Sequence, residues 1–284
     1  MKVLIIGENS FLGNNVKQYL EKSNEYDVDI VDSHEGWKKV SFSKYRVIIN
    51  VSAIVHRFNE IDESLYFEVN RDLALDLANK AKKSGVNQFI QISTMGVFGI
   101  ELGEEHEKFG YHPVTPYERS KYEADIKLEE LRTSQFHICI VRPPMIYGKT
   151  NKGNFPKLEK FAVKSPIFPK YRNLRDFIYV ENLSDFLKFS IDNDLNENTY
   201  PRDSHRISTY EMVQKIASCK QKKIVLTRIF NPFIRMIYKS NHTLRSVFGD
   251  NYCTMPVCSK NWKCPYEFST ALEKMYNEAW RKGR

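Results

Sequence analysis

The chain has 284 residues, of which 42% are hydrophobic and 27% charged, and a formal net charge of +8. These are ordinary values for a soluble globular protein with ample material for a buried core, arranged as one large domain or two modest ones. No run approaches the ~18–20 apolar residues of a spanning helix, and no recognition motif accompanies the positive charge, so neither stable membrane insertion nor nucleic-acid binding is expected.

The opening run Val3-Leu4-Ile5-Ile6 is too short for a signal-peptide core and leads straight into a glycine turn, which points to a cytosolic protein. In chain order, Lys2–Ile6, Asp27–Val31, Arg46–Val51, Gln88–Ser93 and His137–Arg142 read as strands. They are short, rich in β-branched residues and almost continuously apolar, as strands covered on both faces must be. Between them Phe11–Lys22, Ser64–Ser84 and Thr115–Leu131 read as helices, and this alternation predicts an α/β fold with a doubly wound parallel sheet. The loop from Ser33 to Lys44 is too short for a full strand–helix unit, so that crossover is expected to be trimmed. After Gly148 the pattern changes. Asn151–Lys164 and Val180–Ile191 carry helical periods, Asn173–Val180 contains an extended run, and Ser208-Thr209 caps a helix through Cys219. The stretch Lys222–Phe248 mixes basic residues with Phe230, Phe233, Ile234, Met236 and Ile237. It reads as a lid or packing helix of a small second domain, with a peripheral membrane helix as the alternative. Cys253, Cys258 and Cys264 lack the paired spacing of a zinc site, and no metal is expected.

Three groups of residues carry chemistry. Gly7-Glu8-Asn9-Ser10-Phe11-Leu12-Gly13 joins the first strand to the first helix, whose unpaired backbone N–H groups suit a pyrophosphate. Ser10 stands where a middle glycine is common, and an ordinary βα turn is the competing account. Asp32, 19 residues beyond Gly13, ends the second strand where a carboxylate can bind an adenosine ribose 2′-OH; the alternative is a strand-end turn residue. An acid there favours NAD over NADP, although Lys38 and Lys39 follow closely. Tyr117 and Lys121, four residues apart, share one helical face, where the lysine's charge favours the ionised phenolate and proton exchange.

Together with Asn50-Val51-Ser52-Ala53, Ser93-Thr94-Met95-Gly96-Val97-Phe98-Gly99, Arg142-Pro143-Pro144-Met145-Ile146-Tyr147-Gly148 and Arg175-Asp176-Phe177-Ile178-Tyr179-Val180, these residues resemble the extended short-chain dehydrogenase/reductase superfamily, in its NAD-dependent epimerase/dehydratase branch. The resemblance runs over nearly the whole chain. It implies a Rossmann domain over 1–165, with 176–200 returning to it, and a small C-terminal substrate-binding domain within 166–284. It makes Thr94 the catalytic hydroxyl, Tyr117 the acid/base, and Lys121 the residue that tunes it and holds the nicotinamide ribose. The cofactor contacts it implies are Gly7, Asn9, Ser10, Phe11, Leu12, Gly13, Asp32, Val51, Ser52, Ala53, Tyr117, Lys121 and Pro143. Thr94, Met145, Asn154 and Arg175 would meet a UDP- or dTDP-sugar, with Arg175 on the diphosphate unless it pairs with Asp176 instead. A homodimer through the helices around Asp72–Lys83 and Thr115–Leu131 is implied as well.

Dehydratases of the family place an Asp-Glu pair after the catalytic hydroxyl, where this chain has Met95-Gly96, so dehydration is disfavoured. The compact length and trimmed crossover look more like the 4-keto-reductases of capsule and O-antigen loci, which form UDP-N-acetyl-fucosamine or quinovosamine. A nucleotide-sugar 4-epimerase with tightly bound NAD is the alternative, and a non-catalytic dinucleotide sensor is a minor one.

Overall fold

The computed structural model describes residues 1–55, 62–99, 110–149, 155–238 and 240–277. The chain enters as β1 (Lys2–Ile6), turns into α1 (Phe11–Leu20), and returns as β2 (Asp27–Val31). Alternate residues of β1 serve two different cores. Val3 and Ile5 pack on one face with Val16 and Leu20 of α1, while Leu4 and Ile6 face the other layer. All four are fully buried, which explains why this strand is apolar throughout rather than alternating.

The crossover after β2 is trimmed, as expected. It holds only the one-turn α2 (Gly36–Lys39) and a 3₁₀ turn at Phe42–Lys44 before β3 (Val47–Asn50). Lys80 fastens it by donating to the carbonyls of Trp37, Lys38 and Val40.

The helix expected over 64–84 is present and widens in its middle to a π turn. α3 (Glu63–Phe67) and α4 (Leu73–Lys83) flank a π turn at Glu68–Asp72. Asn70, at the centre of that turn, is fully buried; it accepts from the N–H of Ile54 and donates to the Ile54 carbonyl and to Ser120 Oγ. The widened turn accompanies a side chain that ties the segment after β3 to a later helix, and such turns cluster at functional sites. β4 (Gln88–Ile92), α5 (Pro116–Glu129) and β5 (His137–Val141) follow.

Next come β6 (Met145–Tyr147), α6 (Phe155–Lys164), β7 (Ile167–Pro169), β8 (Phe177–Tyr179), α7 (Val180–Asp192) and the two-residue β9 (Asn198–Thr199). The main sheet is parallel, in the order β2-β1-β3-β4-β5-β9. Strand order therefore reverses between β1 and β3. α1 and α7 pack together against one face, and α4 and α5 cover the other.

The remaining elements are α8 (Thr209–Cys219), β10 (Val225–Thr227), α9 (Asn231–Ile237), α10 (His242–Phe248) and α11 (Phe268–Tyr276). α8 opens with the capping box Ser208–Glu211. Two small parallel pairs, β6 with β8 and β7 with β10, sit beside the main sheet.

Candidate active site

The glycine turn lies at the switch point between β1 and β3, where open α/β sheets form a crevice. Gly7 has φ +128°, and a Cβ there would fall 2.8 Å from Val51 Cγ2. A Cβ on Gly13 would meet the Gly7 carbonyl at 3.0 Å and Val51 Cγ2 at 3.1 Å. Both positions therefore require glycine for α1 to begin this close to β3. Ser10 caps the helix, accepting from the N–H of Gly13 at 3.3 Å, and Asn14 braces the loop on the carbonyls of Glu8 and Ser10. No acidic residue occupies the first turn of α1. The early N–H groups of Phe11 and Leu12, beside exposed Asn9, thus lie at a helix start that could receive an anion such as a pyrophosphate.

Val51, Ser52 and Ala53 continue from β3 along the crevice. Ser52 donates to the Ile6 carbonyl at 3.1 Å and receives Asn50 Oδ1 on its own N–H, which fixes the exit of the strand. Asp32 is half-buried just after β2, and its Oδ1 accepts from the N–H groups of His34 and Glu35 at 2.8 and 3.0 Å. Those bonds, with one from Gly36, hold its carboxyl below the usual range. In the structure Asp32 caps the turn into α2, which is the strand-end role that the sequence left open.

Thr94 caps the 3₁₀ turn Met95–Phe98 and accepts from the N–H of Gly96 at 3.0 Å. The next N–H, of Met95, donates to the carbonyl of Pro143 at 3.0 Å, so the Pro143 segment lies directly against the Thr94 turn. Across from it, Thr115 and Glu118 form a capping box with Pro116 at the helix start, and this fixes the first turn of α5 and with it Tyr117. The Tyr117 phenol is hydrogen-bonded to Thr94. One turn later, Lys121 is 1% exposed and donates to the Ile92 carbonyl at 2.9 Å. The three residues that the resemblance made catalytic are brought together.

Burial sets the direction of both side chains' titration. Burial raises the Tyr117 phenol above its ordinary value, against the pull of the Thr94 hydrogen bond. Burial pushes Lys121 down to about 8, with Asp125 opposing. Burial thus favours the neutral phenol, the form that can donate a proton.

Beneath these residues lies a charged network that sequence reasoning missed. Asp125, one turn after Lys121, is fully buried and accepts from Ser93 Oγ and Arg142 Nε, both at 2.8 Å. Arg142 also donates to Tyr111, Tyr200 and Glu129 and lies over the rings of Phe98, Tyr111 and Tyr200. The i, i+4 spacing of Lys121 and Asp125 was the available signal.

Met145 is partly buried on β6, in register with Phe177 of β8. Asn154 lies outside the described residues. Arg175 is 7% exposed and donates to the carbonyls of Ser246 and Gly249 at 2.8 and 3.0 Å, anchoring the end of α10; burial lowers its guanidinium to about 10. It does not pair with Asp176. That carboxylate instead accepts from the Cys253 N–H at 2.7 Å and faces Arg202 and Arg206, two cations that no motif marked in advance.

Known proteins resemble this chain in sequence and in fold. The chain is 28% identical over 249 residues to the UDP-glucose 4-epimerase of Vibrio cholerae, spanning 78% of this chain and 76% of that one. It is 28% identical over 146 residues to the N-acetyl-α-D-glucosaminyl-diphospho-ditrans,octacis-undecaprenol 4-epimerase of Escherichia coli O157:H7, covering 50% of this chain and 44% of the relative. The fold matches the dTDP-4-dehydrorhamnose reductase of Bacillus anthracis, in complex with NADP, at a TM-score of 0.73, 20% identity and coverage of 100% and 99%. It also matches the UDP-glucose 4-epimerase of Thermotoga maritima with UDP-glucose at 0.74, 17% identity and coverage of 99% of each chain. The model of the NAD dependent epimerase/dehydratase family matches residues 3–201, and the chain belongs to that family.

Proposed function

We propose that this protein reduces the 4-keto group of a nucleotide-linked 6-deoxyhexosamine with NAD(P)H, in the synthesis of a surface-polysaccharide precursor. The observation that carries C4 redox chemistry is the convergence of Thr94, Tyr117 and buried Lys121 beside the glycine cradle. A bound nicotinamide dinucleotide supplies the hydride. As negative charge develops on the C4 oxygen, the neutral Tyr117 phenol donates its proton to that oxygen. Thr94 donates a second hydrogen bond, and the Lys121 ammonium stabilises the phenolate left behind. Residues 1–165 with 176–200 would hold the dinucleotide, and the rest would mainly hold the sugar nucleotide. Asp32 favours NAD over NADP, since a carboxylate at the end of β2 repels a 2′-phosphate.

The absence of a carboxylate after Thr94 speaks against dehydration, and the short crossover at Asp32–Lys44 favours the reductase. A second reading, 4-epimerisation with retained NAD, is favoured by the activities for which both sequence relatives are named. The same site serves both, because each moves a hydride at C4. Incubation with UDP-4-keto-6-deoxy-N-acetylglucosamine and NADH or NADPH separates them. Stoichiometric cofactor oxidation supports the reductase, whereas interconversion of UDP-hexoses without added reductant replaces it with the epimerase. Binding of dinucleotide with neither reaction would leave a sensor.

A further inference from the structure

The positive charge of this chain is concentrated in one place. Residues 212–249 contain eight lysines and arginines and no aspartate or glutamate, so they account for the whole formal net charge of +8, and the rest of the chain is balanced. Within this segment the structure turns apolar side chains outward among the charges. Ile229 is 82% exposed, Met236 73% and Phe233 58%, with Phe230 beside them. Their orientation is fixed, because Ile234, on the opposite side of α9, is buried in the main core. The apolar surface continues through exposed Val225, which pairs in register with exposed Ile167 of β7. Lys222, Lys223, Arg228 and Arg235 are exposed around it, and among the described residues no carboxylate pairs with any of the four.

We propose that this face docks on the anionic headgroup surface of a lipid bilayer. Ile229, Phe230, Phe233 and Met236 would enter the boundary between headgroups and acyl chains, and the four cations would meet lipid phosphates. Apolar residues ringed by lysine and arginine, with no acid among them, are the composition that such a surface selects. A second copy of the chain is a poorer occupant, since it would bring two uncompensated basic faces together. Nucleic acid would leave Ile229 and Met236 without a partner. Seven-residue α9 is about 10 Å long and lies on the membrane rather than through it; among the described residues no helix is long and apolar enough to cross one.

Flotation of the full chain with vesicles tests this. Binding is expected to phosphatidylcholine vesicles containing phosphatidylglycerol and not to phosphatidylcholine alone. It should weaken in ~1 M salt, where the Debye length falls from about 8 Å to about 3 Å. The double substitution Phe233→Glu/Met236→Glu should reduce binding at least about tenfold, because two outward side chains lose their transfer into the apolar boundary. Its dinucleotide affinity and thermal midpoint should be unchanged, as both residues are exposed. No flotation with anionic vesicles would overturn the proposal, as would flotation that the double variant and salt leave intact. Conversion of a dimer to a monomer by the same variant would make this face a contact between copies, and preferential binding of RNA over vesicles would make it a nucleic-acid surface; either result overturns lipid docking.

Discussion

Burial favours the protonated Tyr117 phenol, and removing that hydroxyl should have a selective effect. Tyr117→Phe should lower turnover about 10²–10⁴-fold, the usual contribution of general acid catalysis, while dinucleotide affinity measured by titration stays near that of the parent. Near-parental turnover would remove Tyr117 from the mechanism. Lys121 makes a pH prediction. With its ammonium pushed down to about 8, activity that depends on the charged form should fall as pH rises through that value. Asp125 opposes the shift, so Asp125→Asn should move the fall to lower pH; an unchanged profile would mean that the two charges are not coupled. The stability effect has the opposite sign. Because the folded pKa lies below the ordinary 10.5, the folded chain binds fewer protons than the unfolded one between about 8 and 10.5. The cost of burying this ammonium is present in full below that window and is relieved as pH rises through it. At the residue scale the Tyr–Lys spacing was legible before the structure, and Asn70 and Asp125 were not. The spacing of a helical pair is local, whereas the partners of a buried asparagine or aspartate come from 50 and 17 residues away.

Among the elements, the five main strands and the caps of α5 and α8 were readable because each rests on neighbouring residues: continuous apolar runs, or Thr115 and Ser208 followed three residues later by glutamate. The π turn at Glu68–Asp72 was not readable, since it accompanies bonds to Ile54 and Ser120 rather than a local propensity. Asp32 belongs at this scale because it closes the turn into α2. Asp32→Ala should loosen that turn and, on the proposed role, weaken NADH binding more than NADPH binding. A ribose hydrogen bond and a repulsion of the 2′-phosphate vanish together. Equal effects in titrations of both cofactors would confine Asp32 to capping.

At the scale of the whole molecule, α7 packs on α1 and β9 joins the main sheet beside β5. The C-terminal third was the least legible part, because its elements are short and meet through long-range bonds. Arg175 illustrates this. Its motif suggested a diphosphate contact, and the structure adds an anchor for α10. Arg175→Ala should therefore raise the KM for the nucleotide-sugar about ten- to hundredfold, by loss of a charge-assisted contact worth about 1.5–3 kcal/mol, and should also lower the thermal midpoint. Arg175→Lys should recover only part of the affinity, since lysine lacks the bidentate fork. A lowered midpoint with unchanged UDP binding would confine the arginine to the anchor.

The most direct test of the central claim, hydride transfer at C4 assisted by Tyr117, follows an isotope. Purified protein is given UDP-4-keto-6-deoxy-N-acetylglucosamine and a reduced nicotinamide dinucleotide deuterated at the transferring position, and the product is examined by mass spectrometry and NMR. The account predicts one deuterium per sugar, at C4, and strongly slowed transfer in Tyr117→Phe. Product without deuterium at C4, or transfer undiminished in Tyr117→Phe, would contradict it.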